Sequence, residues 1–200
     1  MRKIALPIFL LLFLISLAWG QETPETPVAE VFGSYSYMRV GENGGDTANL
    51  GGGRTTSLAT NLNHWLGGVA EFSGHYGEQM LTVPNVGVGK LDADTNMHTF
   101  LFGPRFTSRW SDRFTPFAHT LFGVARIHHR VNQFAGSQRV RLDRTETPFA
   151  MTVGGGLDIN LSPEISLRSI QADYLLTRPG EISVNNLRIS SGFLFRFGTR

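Results

Sequence analysis

The sequence predicts an all-β protein, a single eight-stranded antiparallel up-and-down β-barrel that crosses a membrane. Three observations predict it. Along Asn186–Phe197 the chain alternates: Leu187, Ile189, Phe193, Phe195 and Phe197 share one side, and Asn186, Arg188, Ser190, Gly192 and Arg196 share the other. Successive side chains of a strand point to opposite faces, so this stretch has one apolar and one polar face. Three phenylalanines opposite arginines suit lipid outside and a polar lumen inside. The rest of the chain divides into further segments of about ten residues, the length a tilted membrane strand needs. Their connections alternate long and short, the asymmetry of a barrel with short turns at one end and longer loops at the other.

Met1-Arg2-Lys3 is basic, Ile4–Leu17 is apolar, and Ala18-Trp19-Gly20 supplies small residues. Residues 1–20 therefore read as a secretory signal peptide cleaved before Gln21. The apolar run falls short of the ~20 residues that span a bilayer comfortably. Its removal takes Arg2 and Lys3 out of 18 basic residues and leaves the charge balanced against 16 acids. The basic precursor thus implies no nucleic-acid partner. The absence of cysteine excludes a disulfide frame, a zinc–thiolate site and a cysteine nucleophile. No later segment is long and apolar enough for a transmembrane helix. Gln21–Val28, rich in Pro and Glu, reads as a disordered periplasmic lead-in, with the barrel over 29–200.

The first strand is expected over Glu30–Val40, with Tyr35 and Tyr37 opposite Ser34, Ser36 and Met38. Gly41–Gly53 is a Gly/Asn-rich loop. A second strand over Arg54–Leu62 turns tightly through Asn63-His64-Trp65 into a third over Leu66–Tyr76. A long loop, Gly77–Thr95, precedes the fourth, His98–Ser108, where Phe100, Phe102 and Phe106 oppose Thr99, Gly103, Arg105 and Thr107. Arg109–Arg113 turns into a fifth strand, Phe114–His128, whose phase the alternation leaves open. Arg130–Thr145 is the third long loop. The sixth strand sets Phe149, Met151, Val153, Leu157 and Ile159 against Ala150, Thr152, Gly154, Gly156 and Asp158. A turn over Asn160–Glu164 leads to the seventh strand, Ile165–Thr177, and Arg178–Asn185 leads to the eighth. Trp65 and Trp110 fall at short turns, where an aromatic girdle would sit.

The turn Asn-x-Asn-x-Trp-Leu-Gly at 61–67, the phrases Leu-Phe-Gly-Pro-Arg-Phe at 101–106 and Gln-Ala-Asp-Tyr-Leu-Leu-Thr-Arg at 171–178, and the ending Phe-Arg-Phe-Gly resemble the OmpA/OmpX-type small outer-membrane barrels. The end also resembles the outer-membrane targeting signal, through Ser190, Gly192, Phe195 and Phe197, although Gly198-Thr199-Arg200 follow the last aromatic. The resemblance implies a bacterial outer-membrane location, insertion by the barrel-assembly machinery and contact with outer-membrane lipids and lipopolysaccharide. It also implies a monomer with no cofactor and no peptidoglycan-binding part after Phe197. The expected role is structural, in envelope integrity, or surface-interacting.

Ionisable side chains facing into so narrow a barrel must pair, since an unpaired buried charge is costly. Glu71, Arg105, Asp158, Asp173, Arg188 and Arg196 are the expected lumen network. Glu71, in Ala-Glu-Phe-Ser-Gly, is similar to the inward glutamate of OmpA-type barrels. The network is either a permanent polar core or a salt-bridge gate of a narrow porin-like channel. Arg126, Arg130, Arg139, Arg141 and Arg144 stand against Asp143 alone and form a candidate outer basic loop for lipid phosphates. A lipid A-modifying enzyme would need a His and a Ser at the outer rim. His128 and His129 have no such serine before Ser137, so no catalytic or metal residue is assigned. Gly154 and Gly156 lack the Lys-Ser/Thr of a phosphate loop and are expected to make room for lumen side chains.

Overall fold

The computed structural model describes residues 26–41, 47–82, 90–135, 138–178 and 184–199. The expected signal peptide and residues 21–25 lie outside them. Nine strands follow in order: β1 Pro27–Gly41, β2 Thr47–Asn61, β3 Leu66–Thr82, β4 Lys90–Thr107, β5 Phe114–Ala135, β6 Gln138–Glu146, β7 Phe149–Asn160, β8 Ile165–Arg178 and β9 Val184–Thr199. Neighbours pair antiparallel in the order β4-β3-β2-β1-β9-β8-β7-β5, and pairing of β4 with β5 closes the sheet. The wall is therefore the expected eight-stranded up-and-down barrel.

The ninth strand arises from one break. Strand β5 pairs with β7 over Phe114–Val124 and with β6 over Ile127–Ala135. Between β6 and β7 lie Thr147 and Pro148, and the proline has no N–H for the ladder. Its carbonyl still accepts from Ala125 N at 3.0 Å, so the direction of the wall is kept.

The three expected long loops are largely strand. Strands β3 and β4 stay paired to Thr82↔Lys90, β2 begins at Thr47, and Arg130–Thr145 is mostly the hairpin β5–β6. These stretches are polar and lack the two-residue apolar alternation by which a half-buried strand is read. Strand β1 begins at Pro27, inside the expected lead-in, and Asn61 Nδ2 holds the Pro27 carbonyl at 2.8 Å.

The distribution of side chains is inverted relative to a water-soluble domain. Phe72, Phe100, Phe102, Phe106, Phe149, Phe193, Phe195 and Phe197 are exposed, while Arg188, Asp173, Gln171 and His75 are fully buried. Large apolar residues belong inside in water, so this wall is built for lipid. Closure gives each wall strand a hydrogen-bonded neighbour on both sides, as a lipid-facing wall requires. Trp65 and Trp110 are exposed beside short turns, and Trp65 stacks on Phe106 with ring centroids 5.9 Å apart.

Strand β5 turns its odd residues inward, including Phe117, His119 and Leu121, and exposes Phe114, Phe122 and Val124. Phenylalanines on both faces explain why its phase was not readable. Strand β8 changes phase along its length. A bulge between Arg168 and Gln171 sends Ser166 and Arg168 inward before it and Gln171, Asp173 and Leu175 inward after it.

Candidate functional site: the lumen and the outer hairpin

At mid-lumen, Arg188 on β9 is fully buried and reaches across to the opposite wall. It donates to Glu71 on β3, to Asp173 Oδ2 on β8 at 2.6 Å and to Ser73 Oγ at 3.1 Å. Gln171 Nε2 donates to the same two acids, at 3.3 Å to Glu71 and 2.8 Å to Asp173. Arg168 grips Asp158 with Nε at 2.7 Å and a terminal nitrogen at 3.0 Å, and donates to Gln171 Oε1 at 2.8 Å. Its guanidinium lies between two rings, 4.2 Å from the centroid of Phe32 and 4.0 Å from that of Phe117. A cation held over aromatic faces gains from their quadrupoles in a place with little water. Two guanidiniums thus meet three carboxylates, and His119 Nε2 lies 2.8 Å from Asp173 Oδ1 on the remaining side.

Two of these contacts depend on glycine. His119, Gly154 and Asp173 are aligned across β5, β7 and β8, and the histidine reaches its acid over the glycine. A Cβ at Gly154 would lie 2.0 Å from Asp173 Oδ1. On the other side of the barrel Ser36, Gly53 and His75 repeat the arrangement across β1, β2 and β3. Ser36 Oγ is 2.9 Å from His75 Nε2, and a Cβ at Gly53 would lie 2.4 Å from His75 Cδ2. Gly156 leaves space for the Phe117 ring, which an added Cβ would meet at 2.8 Å.

A second cluster stands at the short-turn mouth. Glu30 accepts from Arg105, from Arg109 at 3.2 Å and from Asn61 Nδ2 at 3.0 Å. Arg109 also donates to the His64 carbonyl, and burial in the turn pulls its guanidinium below the usual range while Glu30 acts the other way. Arg196 is half-buried and donates to Asn160 Oδ1. Glu30, Arg105, Asp158, Asn160 and Arg196 border a cavity of about 340 Å³. Toward the long-loop end Met38, Met97, Ala125, Ala150 and Leu175 pack together beside the buried polar side chains of Thr177 and Asn186.

The structure brings Glu71, Asp173 and Arg188 into one cluster, with Asp158 joined through Arg168 and Gln171. Arg105 and Arg196 belong to the mouth instead, and among the described residues Glu71 and Arg105 share no hydrogen bond or ion pair. Sequence reasoning missed Glu30, Arg168, His75 and His119. Arg168 was hidden by the bulge, and Glu30 by its position at the expected start of a strand. For His75 and His119 the usable sign was the glycine one strand away from each. Gly192, Phe195 and Phe197 lie on β9, the strand that pairs with β1, with both rings on the lipid face.

Three of the five outer arginines, Arg126, Arg130 and Arg144, have described side chains. Arg126 is on the barrel wall opposite His98. Arg130 pairs with Asp143 at 3.3 Å, and Arg144 with Glu146 at 2.6 Å, an acid left out of the sequence tally. Arg139 and Arg141 lie on β6 opposite Phe134 and Asn132, and their side chains lie outside the described residues. His128 Nδ1 contacts Thr145 Oγ1 at 2.8 Å. The Ser36–His75 pair has no orienting carboxylate, since His75 Nδ1 has no partner among the described residues, so it lacks the third member of a triad. Among the described residues no group of three or more metal-ligating side chains is assembled.

No family model matches this chain, and neither does any curated protein. Solved structures do. Ail, the attachment invasion locus protein of Yersinia pestis, crystallised in complex with the heparin analogue sucrose octasulfate, is 18% identical over 84% of this chain and 97% of its own, with a TM-score of 0.58. Neisserial surface protein A is 14% identical over 87% of this chain and 99% of its own, with a TM-score of 0.51. At these identities the likeness speaks for the fold, and the fold is that of the small outer-membrane β-barrels.

Proposed function

We propose that this protein is a bacterial outer-membrane barrel with a structural and surface-interacting role, neither enzyme nor open pore. The observation that carries this reading is the filled middle of the lumen. Arg188, Glu71, Asp173, Gln171 and the Phe32–Arg168–Phe117 sandwich occupy it, and Met38, Met97 and Leu175 pack beyond them toward the long-loop end. Interaction is then left to the outer hairpins. Ail, a barrel of the same fold, takes a polysulfated sugar, which supports a polyanionic ligand for Arg130, Arg139, Arg141 and Arg144. The Arg130–Asp143 pair is partly exposed, and such pairs contribute little, so an incoming sulfate or phosphate can displace the carboxylate at small cost. In this reading residues 1–20 are removed on export, and the assembly machinery reads Gly192, Phe195 and Phe197 on a monomer.

The cavity at the short-turn mouth favours one alternative, a narrow channel whose inner half is already open. Single-channel recording of the refolded mature chain in a planar bilayer separates the two. Wild type, Glu71→Ala and Arg105→Ala are expected to stay electrically silent while folded. Discrete conductance steps that change with Glu71→Ala would overturn the closed-lumen reading in favour of the channel.

A further inference from the structure

The short-turn mouth carries more cationic charge than its own buried acids take up. Glu30 on β1 stands directly opposite Arg196 on β9, yet its carboxylate accepts from Arg105 and Arg109 instead. Asp158, the other buried acid there, is held by the two-point grip of Arg168. Arg196 is left with a neutral acceptor, Asn160 Oδ1, which also accepts from Ser166 Oγ at 3.0 Å. Among the described residues no carboxylate pairs with Arg196. With Arg168 matched by Asp158, three guanidiniums share the one carboxylate of Glu30, an excess of two positive charges. An uncompensated charge away from water is costly, so the excess calls for a counter-charge.

These cations converge on one space. Arg105, Arg109 and Arg196 line the cavity of about 340 Å³ together with Thr107 and Asn160. Arg105 Nε and Thr107 Oγ1 are buried and have no hydrogen-bond partner among the described residues. A buried donor left unpaired carries the full cost of its desolvation. The rim is made by the short turns, where Asp112, Pro163 and Glu164 are exposed, so a solute can enter from the side of those turns. The two rim acids stand in water and are screened, whereas charges set deeper act more strongly.

Size and charge narrow the ligand. Small-molecule pockets run from about 300 to 1,000 Å³, and this one lies at the lower end. A carboxylate would bring one charge and two acceptor oxygens. A phosphate group brings up to two charges and at least three strong acceptors, and the guanidinium fork matches its oxygens bidentately. It therefore meets both the charge excess and the number of donors.

We propose that the short-turn mouth is a binding site for a small phosphate compound, inorganic phosphate or a phosphomonoester, held by Arg196 and Arg109 with Arg105 and Thr107 completing the donor set. The site goes beyond the function proposed above, because neither the filled middle of the lumen nor the outer hairpins require it.

The test is phosphorus NMR titration of the mature chain, refolded in octyl glucoside micelles free of phosphate, with inorganic phosphate and separately with glycerol phosphate. Wild type is expected to broaden the signal of at least one of them at millimolar concentration, and the tighter binder identifies the source. Arg196→Gln should weaken binding by roughly tenfold, the loss of one charge-assisted contact. Thr107→Val should weaken it about threefold, the loss of one neutral hydrogen bond. Asp112→Asn/Glu164→Gln should strengthen it slightly, and Arg130→Gln/Arg144→Gln should leave it unchanged. The same phosphate should raise the urea midpoint of wild type and not that of Arg196→Gln. A folded, heat-modifiable Arg196→Gln protein that binds like wild type would overturn the proposal. So would a wild type that broadens neither signal, or loss of binding in the hairpin variant alone.

Discussion

The middle of the lumen and its short-turn mouth use the same ion pairs under different solvation. In the middle, Arg188 is sealed by Glu71, Asp173, Gln171 and Ser73, and the neighbouring Arg168 by two rings. At the mouth, Glu30 and Arg105 are equally buried by area yet border a cavity of about 340 Å³. A cavity of that size with polar walls can hold water. An ion pair in the middle must therefore be complete, whereas water can stand in for a lost partner at the mouth.

The sharpest way to break this contrast is Arg188→Ala. It leaves Glu71 and Asp173 facing each other without a cation, and removing one partner of a buried pair costs roughly 3–5 kcal/mol. Urea unfolding in lipid vesicles, read by the heat-modifiable band, measures it. Arg188→Met with Glu71→Gln and Asp173→Asn should recover much of the loss, because no charge is then orphaned. Next is Gly154→Ala, whose new methyl would sit 2.0 Å from Asp173 Oδ1 and 2.6 Å from the Ala172 carbonyl. Overpacking of this kind costs about 1–3 kcal/mol, and the His119–Asp173 contact should open, visible in the imidazole NMR signals. The smallest effect belongs to Glu30→Ala, about 1–2 kcal/mol in the same unfolding assay. Arg109 keeps the His64 carbonyl, and cavity water can reach Arg105. A Glu30→Ala loss as large as that of Arg188→Ala would erase the distinction between the two regions.

What was legible in the sequence followed from uninterrupted alternation. Strands β4, β7 and β9 have clean two-residue patterns, and Arg105, Asp158 and Arg188 point inward as that pattern requires. Where the pattern was interrupted, the information was lost. The bulge after Arg168 shifts the phase inside one strand, so no single period places both Arg168 and Asp173 in the lumen. The hairpin ends were invisible for another reason: their residues are polar on both sides of the alternation, so no apolar period marks them as strand. The Phe32–Arg168–Phe117 sandwich could not be read at all, since it joins β1, β5 and β8 through the interior.

The interruption at Thr147–Pro148 has a consequence for how the surface can change. On the β7 side the β5–β6 hairpin meets the wall where the ladder is already broken, while on the other side β5 stays paired with β4 out to Leu91↔Gln133. Insertion or deliberate grafting beyond that pairing, between Gln133 and Glu146, leaves the register of Phe114–Val124 with β7 untouched. The tip of this hairpin can thereby be exchanged without resetting the wall.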